Sequence, residues 1–222
     1  MCADSSQNPS SASVSNIKPP RKILEGIYAF PPNRDTLGGT SYFIRANLGN
    51  ILVDCPNWKE AQPFQQFCEQ QGGVHWLFLT HREGMSQVRS IQSDLDCEVV
   101  VQEQEAYLLP EVSVTSFQEE IRLGDALGIW TCGYSPGSAC LYVPSNGGVL
   151  FSGRHLLVDS NGNLTPIQSR KTFHWRRQLR NVKKLQTKFP PETLSYVCPG
   201  ANTGFLRGKG VVKVSDQGLM TL

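Results

Sequence analysis

Few side chains in this sequence are suited to chemistry. Four histidines stand at His75, His81, His155 and His174, and of these His81 has a carboxylate at close spacing, in His81-Arg82-Glu83. A histidine and a glutamate two residues apart supply two donors, whereas zinc sites need three or four convergent nitrogen, thiolate or carboxylate donors. His81 is therefore expected to be structural. His155, beside Arg154, is the better candidate to add a donor, and His75, in an apolar run that reads as a strand, is expected to serve packing. The seven cysteines (Cys2, Cys55, Cys68, Cys97, Cys132, Cys140 and Cys198) are scattered and never form a CxxC pair. That spacing argues against a thiolate metal site and against a disulfide framework. Cys55, at the end of an apolar run, is expected to be inert rather than a reactive thiol. The sequence carries no G-x-S-x-G elbow, phosphate-binding P-loop or dinucleotide-binding glycine pattern.

The densest charge lies elsewhere. Arg170, Lys171, Arg176, Arg177, Arg180, Lys183, Lys184 and Lys188 are eight of the 21 Lys and Arg, with no acidic residue between them. Trp175, Leu179, Val182 and Leu185 recur at helical spacing, so the basic side chains form a strip on the opposite face. Such a strip suits nucleic acid phosphates, an acidic protein or anionic lipid heads; the simplest expectation is a solvated outer face. The net charge of +2 implies no polyanionic partner by itself.

The elements that position these residues are short. Residues 1–22 are rich in Ser, Asn and Pro and read as a disordered tail, with Asp4 and no arginine before Arg21, unlike a transit peptide. Strands follow at Ile27–Phe30, Thr40–Arg45 and Asn50–Asp54, then a helix over Trp58–Gln71 stopped by Gly72-Gly73, and a strand over Val74–Leu79. A second helix and strand are expected at Ser86–Leu95 and Glu98–Gln102. Further strands are expected at Ile121–Leu123, Leu127–Cys132, Ala139–Val143 and Gly148–Ser152, followed by a helix over Thr172–Phe189 and a last strand over Leu194–Cys198. Two β-rich halves, each with helices, imply sheet packed on sheet with helices outside. At 222 residues, with 39% hydrophobic residues, the chain is expected to hold one domain over 23–210, with a C-terminal extension over 211–222. No apolar run approaches the roughly 18 residues that cross a bilayer, and the start lacks a signal-peptide pattern. A soluble protein of the cytoplasm or of a stroma-like compartment is expected.

Five pieces in order carry a resemblance. They are Val53-Asp54-Cys55, Leu77-Phe78-Leu79-Thr80-His81, Gly133-Tyr134-Ser135-Pro136-Gly137-Ser138, Leu150-Phe151-Ser152-Gly153 and Val197-Cys198-Pro199-Gly200. On these the chain resembles the metallo-β-lactamase-like superfamily, which implies an α/β fold, a four-layer αββα sandwich. Active relatives carry H-x-H-x-D-H in the first loop; the matching stretch here is His81-Arg82-Glu83-Gly84-Met85-Ser86. The resemblance further places Tyr134 and Ala201 where relatives have metal-binding histidines, and Arg154 where they have a bridging aspartate. The start at His81-Arg82-Glu83 and the compact size resemble the stand-alone relatives of a group whose lactamase-like domain can be joined to a single-cluster ferredoxin domain, found largely in oxygenic phototrophs.

These departures imply a degenerate site. A guanidinium where a carboxylate should bridge two dications would repel them. Arg154 is expected to pair with Glu83, with Tyr134 and Asp54 satisfying neighbouring donors. The resulting expectation is a non-catalytic binding or scaffold protein with a protein partner and no cofactor. The alternatives are a divergent hydrolase of an ester, thioester or phosphodiester, with one zinc or iron ion on a residual site, and an RNA-associated protein using the 170–188 helix.

Overall fold

The computed structural model describes residues 18–201, 204–206 and 208–214, without the side chain of Glu60. Its first sheet has seven strands whose spatial order equals their chain order: β1 (Arg21–Leu24), β2 (Ile27–Ala29), β3 (Tyr42–Ile44), β4 (Ile51–Val53), β5 (Trp76–Phe78), β6 (Glu98–Gln102) and β7 (Val114–Phe117). Strands β1 to β4 form an antiparallel meander, and β4 to β7 run parallel. Parallel neighbours need crossovers. Helices α1 (Gln62–Gln70) and α2 (Val88–Leu95) supply two of these, and the short α3 (Glu103–Ala106) lies in the third.

The second sheet is built from β8 (Glu120–Leu123), β9 (Ala126–Trp130), β10 (Ala139–Val143) and β11 (Val149–Gly153), with the small hairpin of β12 (Leu157–Val158) and β13 (Leu164–Thr165) standing apart. After α4 (Trp175–Lys188) the chain returns as β14 (Tyr196–Pro199), parallel to β11, and β15 (Val212–Lys213) closes that edge. The six-stranded order is β15-β14-β11-β10-β9-β8.

Alternation along single strands makes the layers visible. Tyr42 and Ile44, Phe78, Val100, Phe151 and Cys198 point between the sheets, into one cluster with Ile27, Val53 and Leu141. Their immediate neighbours point the other way: Phe43, Leu77 and Val99 pack with Phe64, Cys68 and Ile91 under α1 and α2, and Leu150 and Val197 pack with Val182 and Leu185 of α4. Because successive strand side chains face opposite sides, strands buried on both faces require four layers, helix, sheet, sheet, helix. The expected αββα sandwich is present.

Several boundaries differ from the sequence reading. Arg21 and Lys22, assigned to the tail, pair with Ala29 and Tyr28 in β1, and Val212 in the expected C-terminal extension pairs with Val197. Residues 1–17 and 215–222 of those segments lie outside the described residues. Trp58–Glu60 is a separate 3-10 turn ahead of α1, and His174 caps α4, its Nδ1 accepting from the Arg177 backbone N–H at 3.3 Å, so that helix starts later than its apolar period suggested. His75 is exposed, just ahead of β5, with its ring edge on Trp76 at 4.2 Å, rather than a packed strand residue. Strands β1, β7 and β15, the hairpin and α3 were not anticipated, being too short to show a period. Among the described residues no helix is long and apolar enough to cross a membrane.

Helix α4 is seated on the 132–138 turn at Gly133. A Cβ on Gly133 would lie 2.4 Å from Gln178 Cα, and its φ of +155° disfavours a side chain as well. Gly133→Ala is expected to lower stability by about 1–3 kcal/mol, read from the urea midpoint; an unchanged midpoint would contradict this seating.

Candidate functional site

One edge of the sandwich gathers the ends of β4, β5, β11 and β14, which together deliver the residues of the site. Asp54 follows β4 in a left-handed turn with φ 55°. Thr80 and His81 follow β5, Arg154 follows β11, and Ala201 follows β14. The sheets are tied together here by Ala139 N–H donating to Thr80 O at 2.8 Å, and β11 to β14 by Gly200 N–H donating to Gly153 O at 2.7 Å. Gly153 must be glycine: its φ is +52°, and a Cβ would stand 2.4 Å from Thr80 Oγ1.

A directed chain of hydrogen bonds crosses this edge. Arg154 Nε donates to His81 Nε2 at 3.1 Å. A guanidinium has no acceptor, so His81 must keep its Nε2 lone pair free and carry its proton on Nδ1. That nitrogen lies 2.8 Å from Thr80 Oγ1, and Thr80 Oγ1 donates to Asp54 Oδ2 at 2.6 Å. Asp54 Oδ1 accepts from the Thr80 backbone N–H at 2.8 Å. The cation at one end and the carboxylate at the other are thus linked through a neutral imidazole and a hydroxyl. Arg154 directs its remaining reach to backbone, its Nη2 donating to the carbonyls of Thr36 at 3.1 Å and Leu37 at 2.9 Å. Tyr134 covers the assembly, its ring 5.4 Å from the His81 ring and 5.9 Å from the Arg154 guanidinium carbon.

Titration follows from this packing. Burial, with Arg154 adding to it, depresses His81 to about 3. Burial lifts Asp54 to about 6 against the opposing pull of the Thr80 hydrogen bonds and of Arg154. Burial also raises the Tyr134 phenol to about 12, with Arg154 opposing and Glu83 assisting.

The expected Arg154 to Glu83 pair does not form: no nitrogen of Arg154 comes within 4.0 Å of a Glu83 oxygen, whereas Arg154 bonds His81 and two carbonyls. The physical reason lies in the loop. The 3-10 turn Arg82–Gly84 sends Arg82 to Glu105, a fully buried carboxylate, at 3.2 Å. Glu83 is left half-buried near Tyr134, with its Oε2 lacking a partner. Asp54 is held by Thr80 instead of bonding Arg154 directly. Met85 and Ser86 turn away to line a groove of about 640 Å³ beside α2 with Val88, Leu109 and Val112. Ala201 is buried, in a β-bridge with Gly39. His155 is buried too, its carbonyl accepting from Gln178 Nε2 of α4 at 3.0 Å and both ring nitrogens unpartnered, outside the Arg154 chain. The Cys55 thiol is buried and pushed far above its ordinary range, as an inert cysteine should be. Arg176, Arg177, Arg180, Lys183 and Lys184 are all exposed on α4.

Sequence reasoning missed Thr80, Glu105 and the carbonyls of Thr36 and Leu37. Thr80 lay inside a quoted motif without a role. Carbonyls leave no mark in residue type, although Gly38-Gly39 after Leu37 signalled a tight turn.

No protein-family model matches the chain, and no curated protein matches it in sequence. Solved structures do match. The DIM-1 metallo-β-lactamase superposes with a TM-score of 0.64 at 15% identity, over 85% of this chain and 92% of that one. TTHA1623, solved in a di-iron-bound form, gives 0.62 at 22% identity, over 81% of this chain and 98% of its own. The metallo-β-lactamase family protein TTHA1429 from Thermus thermophilus gives 0.59 at 16% identity, over 85% and 78%. The chain has the metallo-β-lactamase fold. The metals that this fold implies do not fit the residues present. His81 Nε2, the lone pair a metal would need, accepts from a guanidinium, and among the described residues no group of three or more His, Cys, Asp or Glu could hold an ion.

Two measurements follow. Arg154→Lys keeps the charge but cannot serve His81 and two carbonyls with one planar fork, so it is expected to cost roughly 1–3 kcal/mol in urea unfolding, close to the loss for Arg154→Met. Acid should also destabilise the fold. His81 and His155 stay neutral in the folded chain down to about 3 but accept protons near 6.5 when unfolded. Their contribution is full above pH 6.5 and is lost as pH falls toward 3. Asp54, raised from 3.8 to about 6, acts in the opposite sense over that narrower window, one proton against two. The urea midpoint should therefore drop on acidification from pH 6.5, and less steeply in His155→Leu.

Proposed function

We propose that this chain is a metal-free, non-catalytic member of its fold that acts by binding another macromolecule, as an adaptor or scaffold. One observation carries the reading: the Arg154 guanidinium bonds the imidazole nitrogen through which His81 would bind a metal. A cation that links the strand ends by hydrogen bonds does mechanically what a bound ion does, yet it offers no open coordination position and no acidic water. Tyr134, Met85 and Ala201 add no anionic donor, and Asp54 is already engaged by Thr80.

The competing reading is a hydrolase of an ester, thioester or phosphodiester with one zinc or iron ion near His81 and Glu83. It is favoured by the buried, unpartnered Oε2 of Glu83. Metal analysis of protein purified without chelator separates the two. Less than a tenth of an equivalent of zinc, iron or manganese, and no hydrolysis of generic ester, thioester and phosphodiester substrates, is the expected result. Near-stoichiometric metal with activity that a chelator abolishes would defeat the proposal. The R154D/Y134H/A201H variant, which puts donors back at three of the positions that the resemblance assigns to metal ligands, is expected to gain zinc binding in calorimetry where the parent has none.

A further inference from the structure

The exposed face of α4 belongs to no part of the strand-end site, and its charge is unusually concentrated. Residues 170–188 hold eight basic and no acidic side chains, leaving 13 basic against 19 acidic in the rest of the chain. A chain that is otherwise net acidic thus presents one strongly cationic strip. At its far end Lys184 and Lys188 pair with Glu119 and Glu120 across to β8. Among the described residues no acidic side chain comes within 4.0 Å of Arg170, Lys171, Arg176, Arg177, Arg180 or Lys183. Arg176, Arg180 and Lys183 recur at the i, i+4, i+7 spacing of one helix face.

This placement does not serve the helix. Arg176 and Arg177 occupy the first turn, which holds no acidic residue, and cations there oppose the helix dipole. At the same end Phe173 is 53% exposed, with its backbone N–H fixed to Tyr134 O at 2.9 Å. An aromatic face beside a row of guanidinium groups is the combination that stacks a base while its neighbouring phosphates are neutralised. Among the described residues six cations lack an acidic partner, two on the segment before α4 (Arg170 and Lys171) and four within it (Arg176, Arg177, Arg180 and Lys183), enough to engage about six phosphates of a strand.

We propose that the Arg170 to Lys183 face of this chain, with Phe173, binds the backbone of single-stranded nucleic acid. An anionic membrane is the poorer fit, because the apolar side of α4 (Val182, Leu185) is buried in the core and cannot insert into lipid. An acidic protein is poorer too: interface cores are depleted of charge, and among the described residues of 170–188 Phe173 is the one large exposed hydrophobic side chain. The inference rests on α4 and does not depend on the metal question.

The test is fluorescence anisotropy of the full chain with labelled oligouridylate, oligothymidylate, a hairpin duplex, phosphatidylserine vesicles and polyglutamate. Binding to a single strand is expected, with a log-log salt slope of about −4, so that affinity falls roughly 100-fold or more between about 50 and 200 mM salt. The ratio of the two single strands assigns RNA or DNA as the source. R176Q/R180Q/K183Q should weaken binding by about tenfold or more at low salt, and the charge-reversing R176E/R180E/K183E should abolish it, both with unchanged thermal melting. Phe173→Ala should cost about tenfold on single strands and little on the duplex. The proposal is overturned by no strand binding, by tighter binding to vesicles or polyglutamate, or by a folded glutamine variant that binds as the parent does.

Discussion

The arrangement of the strand-end edge depends on one hydrogen bond, from Arg154 Nε–H to His81 Nε2. It fixes the imidazole tautomer, and the tautomer fixes the rest: Nδ1–H can only donate toward Thr80, whose hydroxyl can then only donate to Asp54. A guanidinium half-buried among backbone carbonyls would be costly alone. Here its charge is balanced by Asp54 through two neutral groups. The penalty for burying Asp54 shows in its raised titration, because burial outweighs the two Thr80 hydrogen bonds and the more distant cation.

The fold can carry such a change because its stability is built elsewhere. Large, fully buried side chains such as Phe43, Leu52, Leu77 and Phe151 sit in the middle of strands rather than at the edge. Strands buried on both faces bind the two sheets and the helices into one packed body without the residues of the edge. Backbone pairing already brings the tips together, Gly200 N–H to Gly153 O between β14 and β11 and Asp54 N–H to Phe78 O between β4 and β5. Their side chains are then free to be ligands, or an arginine and its acceptors.

How much of this was legible in the sequence follows the same division. Apolar runs located β6 and β10 to the residue, because period is encoded locally, whereas the placing of Asp54, His81, Arg154 and Ala201 at strand ends came from the resemblance that the five quoted segments carry. The partner of Arg154 was not legible. Opposite charge pointed to Glu83, but a planar fork needs acceptors in its own plane, and His81 Nε2 with the Thr36 and Leu37 carbonyls meets that need. Which backbone carbonyls converge is a property of the fold, invisible in residue type. His174 shows the same limit: it reads as a helical residue, and only its Nδ1 contact with the Arg177 N–H reveals a cap.

Charge balance explains why the exchange at this edge is coherent. A site that kept several carboxylates and lost its ions would leave like charges crowded in a half-buried space, and each would have to protonate or turn out to solvent. Here Tyr134 sets its ring against the guanidinium, Ala201 adds only a methyl, Met85 faces the groove beside α2, and His81 is neutral. One arginine therefore faces one fully buried aspartate across the hydrogen-bonded chain, with Glu83 at the margin. The arginine of the first loop, Arg82, does not add to the cation there, because it pairs with the buried Glu105. The loop thus keeps two cations apart, Arg82 on the buried Glu105 and Arg154 linked through His81 and Thr80 to the buried Asp54.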